Sequence, residues 1–211
     1  MDTPTVWRGS TMRDRAFDRR ERLVEAGYEL VGTEGAAAVT VRAVCRGAGL
    51  SRNYFYESFS SREELLRAVG DRVYDEMRAF VESAPQSGTA SDRLRAVFEA
   101  GATYLEEDAR RVRIILREFV SDETLREHAN QMVPLFFAAV SGSFAESINR
   151  LPIDATRPAT FAIGAVQIYG AVSATYLGWL EGRLAVTRDE VAAECAELVL
   201  SVLDVRRRHS S

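Results

Sequence analysis

Between Thr40 and Ser58 the chain sets hydroxyls, arginines, an asparagine and tyrosines at short spacings around Gly49. That set suits the reading of nucleic acid better than the making or breaking of bonds. A guanidinium such as that of Arg52 pairs with both acceptors on the edge of guanine, and a carboxamide such as that of Asn53 with the acceptor and donor of adenine. Tyr54 offers a ring face to a thymine methyl and a hydroxyl to a phosphate. Arg42 stands where it can reach a base edge or the flanking backbone. Bond-making chemistry is poorly supplied. The sequence has no Ser-His-Asp or Cys-His set and no phosphate-cradling loop. Its histidines are His128 and His209, and neither belongs to a metal-binding motif. No catalytic residue, metal ligand or cofactor is expected.

Reading a duplex requires a rigid element that holds these groups at the surface. The run TVRAVCRGAGLSRNYFYESFSSREEL, Thr40 to Leu65, supplies one. Thr40 is placed to N-cap a helix, along which Val41, Val44, Cys45 and Ala48 share a face. Gly49 suits the left-handed conformation that ends it. Ser51 is placed to cap a second helix, Arg52 to Glu57, and Ser61 with Glu64 forms a capping box that opens a third. This is a helix-turn-helix, whose second helix enters the major groove N-terminus first. Phe55 and Phe59 belong to its core. Gly47 inside the first helix costs about 1 kcal/mol relative to alanine.

These residues resemble the tetracycline-repressor (TetR) family of bacterial transcription regulators. The likeness runs from near Phe17 to about Val81. It rests on Thr33–Gly35, Thr40-Val41-Arg42, the turn Ala48-Gly49-Leu50-Ser51, Tyr56, Phe59 and the run Ser61–Leu65, all in the family's order. The resemblance implies phosphate contacts by Thr40, Tyr56 and Arg62, where the family has a helix-2 threonine, a helix-3 tyrosine and a helix-4 lysine. Ser51 joins that phosphate set as a hydroxyl beside a helix N-terminus. Ser58 stands where the family often has histidine, Ala43 where it often has an acid, and Cys45 where it often has alanine.

The formal charge of −4 is unevenly spread. Residues 1–62 carry ten arginines against eight acids, and residues 63–211 seventeen against twenty-three. All basic side chains are arginine. Arg8, Arg13, Arg15, Arg19 and Arg20 are together suited to phosphate or the minor groove. Cys45 and Cys195 lie far apart, as reduced thiols of a cytoplasmic protein would. No apolar run is long enough for a membrane span and no secretory signal is expected.

The pattern predicts an all-α chain. Residues 1–14 form an arm, 15–62 the helix-turn-helix domain, 63–83 a connecting helix, and 91–211 a C-terminal domain after a Pro- and Gly-bearing linker at 84–90. The first helix, from about Phe17 to Thr33, buries Phe17, Val24, Tyr28 and Val31. Further helices are expected at 91–107, 110–121, 122–150 with a bend at Pro134, 158–181 and 187–207. The resemblance implies that the C-terminal domain binds a small molecule and dimerises. Aromatic candidates for the pocket are Phe98, Tyr104, Phe119, Phe136, Phe137, Phe144, Tyr169 and Tyr176, a set that suits a mostly apolar ligand. Arg113, Arg117, Glu118, His128 and Gln131 are polar candidates, with His128 read as a surface residue. Arg117 and Glu118, as neighbours, cannot share a helix face, so one points inward. For the dimer, Gly164, Gln167, Ala171, Ala174 and Gly178 form a strip of mostly small side chains. Val191, Cys195, Leu198 and Val202 repeat at three- and four-residue steps on the last helix. Two such helices per subunit would make a four-helix interface, or both strips pack within one subunit.

The expectation is a homodimeric, ligand-responsive regulator in the cytoplasm. It would repress its own or a neighbouring operon from a palindromic site in double-stranded DNA and be released by a small, mostly apolar effector. The competing reading is an all-α binding or enzymatic domain whose helix-turn-helix is architecture alone. A third is a DNA binder without sequence preference.

Overall fold

The computed structural model describes residues 12–132 and 158–208. Among them the chain is helical, with no strand. The elements are α1 (Met12–Glu34), a 3-10 turn (Ala36–Ala38), α2 (Val41–Ala48), α3 (Arg52–Ser58), α4 (Arg62–Glu82), α5 (Ala90–Glu107) and α6 (Ala109–Arg113). A π-helical turn (Ile114–Glu118) and α7 (Phe119–Ser121) follow. Then come α8, which covers 123–132 of the described residues, α9 (Pro158–Leu180) and α10 (Arg188–Arg208). The expected bend at Pro134, the loop before Pro158, and Phe136, Phe137 and Phe144 lie outside the described residues.

The head is α1 to α3 with the start of α4. Helix α1 is already formed at Met12, so the end of the expected arm belongs to it. Its buried face is Leu23, Val24, Tyr28 and Val31. Phe17 was expected there and is instead 64% exposed, because it precedes the first turn that α2 and α3 cover. Leu65, Leu66, Val69 and Val73 of α4 close the other side. Ser61 accepts from the amide of Glu64, but the Glu64 carboxylate returns to Ser60 rather than Ser61, so the expected box closes one residue early. A reciprocal box stands at Thr89 and Asp92, which starts α5 at Ala90.

The apolar core does not stop at the 84–90 segment. One buried cluster runs from Leu23 and Phe55 through Val73 to Tyr104, Ile114, Leu125, Tyr176, Val191 and Cys195. A second joins Val81 and Ala84 to Leu94, Val97, Ile168 and Val199. Helix α10 packs chiefly along α5, and α6 lies on α1. At that crossing a Cβ on Gly32 would sit 2.3 Å from Cβ of Arg110, so glycine lets the two backbones approach. Polar groups line the same seam. The Tyr28 hydroxyl donates to Asp108 at 2.9 Å. The guanidinium carbons of Arg72 and Arg110 lie 4.7 and 4.8 Å from the centre of its ring, and those arginines pair with Glu25 and Glu29 of α1.

Val191 and Cys195 are 1% and 2% exposed within a single chain, so as dimer contacts they are corrected: α5 and α9 already cover them. Gly164 and Gly178 are likewise buried, Gly178 against Leu184. Ala171, Leu198 and Val202 are half-buried, and Val202 packs on the second cluster. Gln167 and Ala174 remain at the surface. They share it with three residues the small-residue strip did not include: Ile163, Val166 and Gly170.

Candidate nucleic-acid interface

The turn between α2 and α3 is built as its residues require. The Thr40 hydroxyl accepts from the amide of Ala43 at 3.1 Å and keeps its own proton to donate elsewhere. Gly49 adopts φ 62°, ψ 38°, and the amides of Gly49 and Leu50 return to carbonyls of Arg46 and Cys45. Nη2 of Arg22 donates to the carbonyl of Ala48 at 2.6 Å and staples the turn to α1. Ser51 holds the N-cap position with an extended backbone, but its hydroxyl makes no capping bond.

Phe55 is fully buried and Phe59 nearly so, and their burial fixes the rotation of α3. Arg52, Asn53, Tyr54 and Tyr56 consequently stand at the surface, together with Thr40, Arg42 and Ser51. Tyr56 packs edge-on against Phe55 at 5.4 Å and is 60% exposed. Tyr54 is held more firmly. The Arg19 guanidinium lies 4.6 Å from the centre of its ring and pairs with Glu57 at 3.5 Å. Arg19 thus serves the head rather than the leading arm, and Arg20 stacks similarly on Phe59 at 4.8 Å. The clue in sequence was the three-residue step from Arg19 to Arg22, which sets both on the side of α1 that meets the turn.

Arg62 departs from its expected role. Its Nε donates to the carbonyl of Val39 at 2.8 Å and its Nη2 to that of Ala36 at 2.7 Å. Asp122 lies 3.7 Å away. The guanidinium holds the turn before α2 instead of facing outward.

The C-terminal candidates divide. The Tyr176 hydroxyl donates to the carbonyl of Phe98 at 2.7 Å, and that of Tyr169 to the carbonyl of Ile115 at 3.0 Å, so α5, α9 and the π turn come together around Phe98, Val172 and Phe119. Tyr104 stands where α5 meets α4: it is fully buried and donates to the carbonyl of Val73 at 3.2 Å. Arg117, 54% exposed and paired with Glu181, and Gln131, exposed, do not face inward. Glu118 is the inward member of the neighbouring pair, at 13% exposure. His128 is buried rather than superficial. It packs on Gly70 with Nε2 2.9 Å from Asp71. Burial pushes the Cys195 thiol up to about 11 and raises that of Cys45, which leaves both poor nucleophiles.

Among the described residues no three His, Cys, Asp or Glu side chains are grouped to hold a metal, and no helix is long and apolar enough to cross a membrane. Residues 23–69 match the sequence model of "Bacterial regulatory proteins, tetR family". The matched segment is the head just described. That segment is similar to the DNA-binding part of TetR-family transcriptional regulators. The chain is 29% identical over 174 residues to the "HTH-type transcriptional activator FasR" of Mycolicibacterium smegmatis, an alignment that spans 82% of the chain and 77% of the relative. In fold it is similar to a tetR-family regulator from Streptomyces coelicolor (TM-score 0.64, 19% identity, 92% of this chain and 83% of that one). It is also similar to FadR of Bacillus subtilis, solved in complex with stearoyl-CoA (TM-score 0.64, 18% identity, 86% and 98%).

Proposed function

We propose that the chain is a TetR-family regulator that binds a palindromic operator as a homodimer and leaves it when a long-chain fatty acyl thioester enters the C-terminal body. The observation that carries the DNA reading is the rotation of α3: Phe55 is anchored in the core, which turns Arg52, Asn53 and Tyr54 outward as one edge. Arg52 and Asn53 read bases, with Arg42 and Tyr54 beside them. Thr40, Ser51 and Tyr56 contact phosphates. Arg62 supports these contacts from within the head. Two heads are needed for a palindrome, and the face of α9 that carries Ile163, Val166, Gln167, Gly170 and Ala174 suits a second copy.

The effector class rests on two supports. The aromatic and aliphatic cluster of Phe98, Phe119, Tyr169, Val172 and Tyr176 has the chemistry to receive an acyl chain. A protein of the same fold was solved with stearoyl-CoA. The effector must bind the DNA-incompetent state more tightly, or it shifts nothing. Where the operator overlaps a promoter this gives repression. The relative FasR is named an activator, and a different operator position gives that sign with the same binding chemistry.

The test is selection of duplexes from a random library by the purified chain. Titration in the presence of non-specific competitor follows, with and without stearoyl-CoA. A selected palindrome that survives competitor and is released by the thioester is expected. Binding that competitor abolishes would point to an architectural role, and no binding at low salt would end the regulatory reading.

A further inference from the structure

The segment between α1 and α2, Gly35 to Val39, is held from two directions. From α4, Arg62 donates to the carbonyls of Ala36 and Val39. From the body, Oε2 of Glu118 accepts the amide of Ala36 at 3.1 Å. Its Oε1 accepts from Nε of Arg113 at 3.3 Å, and Nη1 of Arg113 donates to the carbonyl of Thr33 at 2.9 Å. Gly35, at φ 97°, lies beneath this pair, where a Cβ would sit 2.9 Å from Arg113 and 3.0 Å from Glu118. The segment leads directly into Thr40, the cap of α2, so its position sets where the helix-turn-helix begins.

Glu118 is the last residue of the π turn, in which the amide of Phe119 returns five residues to the carbonyl of Ile114. Such a turn holds one residue more than an α-helix requires. Such turns are rare, occur mostly as single insertions within α-helices, and are frequent at functional sites. It is held from the body side by Tyr169 of α9, whose hydroxyl donates to the carbonyl of Ile115. One end of this five-residue turn therefore touches α9 of the body and the other touches the reading head. Tightening by one residue would rotate one end against the other by about 100° and carry the Glu118 carboxylate away from Ala36.

We propose that the π turn Ile114–Glu118 is the joint between effector and DNA, with Tyr169 as its latch on the body and Glu118 as its grip on the head. The proposal rests on the DNA-binding reading above. An acyl chain that displaces the Tyr169 hydroxyl from Ile115 lets the turn tighten, releases the Ala36 amide and loosens the start of α2. Tyr169 and Glu118 are positioning residues and touch no base.

The test uses the full chain and the variants Glu118→Gln, Tyr169→Phe and the double variant. It follows amide hydrogen exchange at residues 35–39 and affinity for a duplex selected by the wild type. Glu118→Gln is expected to speed exchange at Ala36 and weaken duplex binding, each about tenfold, and Tyr169→Phe to do both about threefold although its hydroxyl touches nothing in the head. The double variant is expected to be no worse than Glu118→Gln alone, since both act on one element. The proposal is overturned if Tyr169→Phe leaves residues 35–39 and affinity unchanged, or if the two effects multiply. If Glu118→Gln does not fold, Glu118→Asp, which draws the carboxylate back by one methylene, replaces it with the same expectations. Should the wild type select no duplex, the DNA reading fails, while the exchange measurements still decide whether the joint couples body to head.

Discussion

Arg52 and Asn53 owe their outward position to Phe55, which lies between α3 and the core. The role of the arginine is therefore testable apart from folding. Arg52→Ala is expected to leave the thermal midpoint within a degree or two and to lose about 1–3 kcal/mol of discrimination at one base pair. Binding of a panel of single-base operator variants reads this, and an unchanged preference would remove Arg52 from the interface. Thr40→Ala behaves differently, because one hydroxyl both caps α2 and is offered to phosphate. It is expected to cost about 1 kcal/mol of stability and to weaken all sequences alike, which paired denaturation and salt titrations would resolve. At this scale Arg52, Asn53 and Phe55 were legible from residue type and helical spacing. Arg62 was not. Its side chain is long enough to face solvent or to turn back onto the carbonyls of Ala36 and Val39, and the choice depends on where the preceding turn lies.

Helix α6 meets α1 where Gly32 removes a side chain and Tyr28, Asp108 and Arg110 interlock. Gly32→Ala would force the backbones apart and is expected to cost about 1–3 kcal/mol, seen as a lower denaturation midpoint together with a broader spread of duplex affinity. The same contact carries a pH signature. The hydrogen bond from Arg110, opposed by burial, holds the Asp108 carboxyl at about 2, and that from Tyr28 adds to it. Since the folded value lies below the ordinary carboxylate range, its stabilisation is present above about pH 4 and lost as pH falls toward 2. Burial, then the bond to Asp108, pushes Tyr28 up to about 12, so its contribution is present below pH 10 and lost as pH rises through about 12. Asp108→Asn is expected to remove the acid limb, worth on the order of 1 kcal/mol. Stability measured from pH 2 to 7 for both proteins would show the two curves converging in acid. The seam could not be read from sequence, because Tyr28 and Asp108 are far apart along the chain and nothing local to either reports the pairing. The π turn is equally silent: VRIILREFV carries a helical pattern in either register.

A face of α9 with Ile163 57% and Val166 62% exposed is the part of this molecule that a second copy would cover. Val166→Glu is expected to yield a monomer in sedimentation or size exclusion and to abolish cooperative binding to the full palindrome, while weak binding to a half-site survives. An unchanged dimer would place the interface elsewhere. Of the sequence strip, Gln167 and Ala174 lie on this face, whereas Gly164, Ala171 and Gly178 lie one step around the helix from it. Small residues mark any close contact of a helix, and Gly178 uses its bare backbone inside the chain, against Leu184. What the sequence determined by itself was local: the helical class, the caps, the glycine turn and the edge of α3 that faces out, since propensity, capping and apolar period act over a few residues. The tertiary structure alone decided which long arginines turn inward, which small-residue faces remain open, and how a buried seam of Tyr28, Asp108 and Glu118 ties the head to the body. Those outcomes depend on groups that folding brings together from distant parts of the chain.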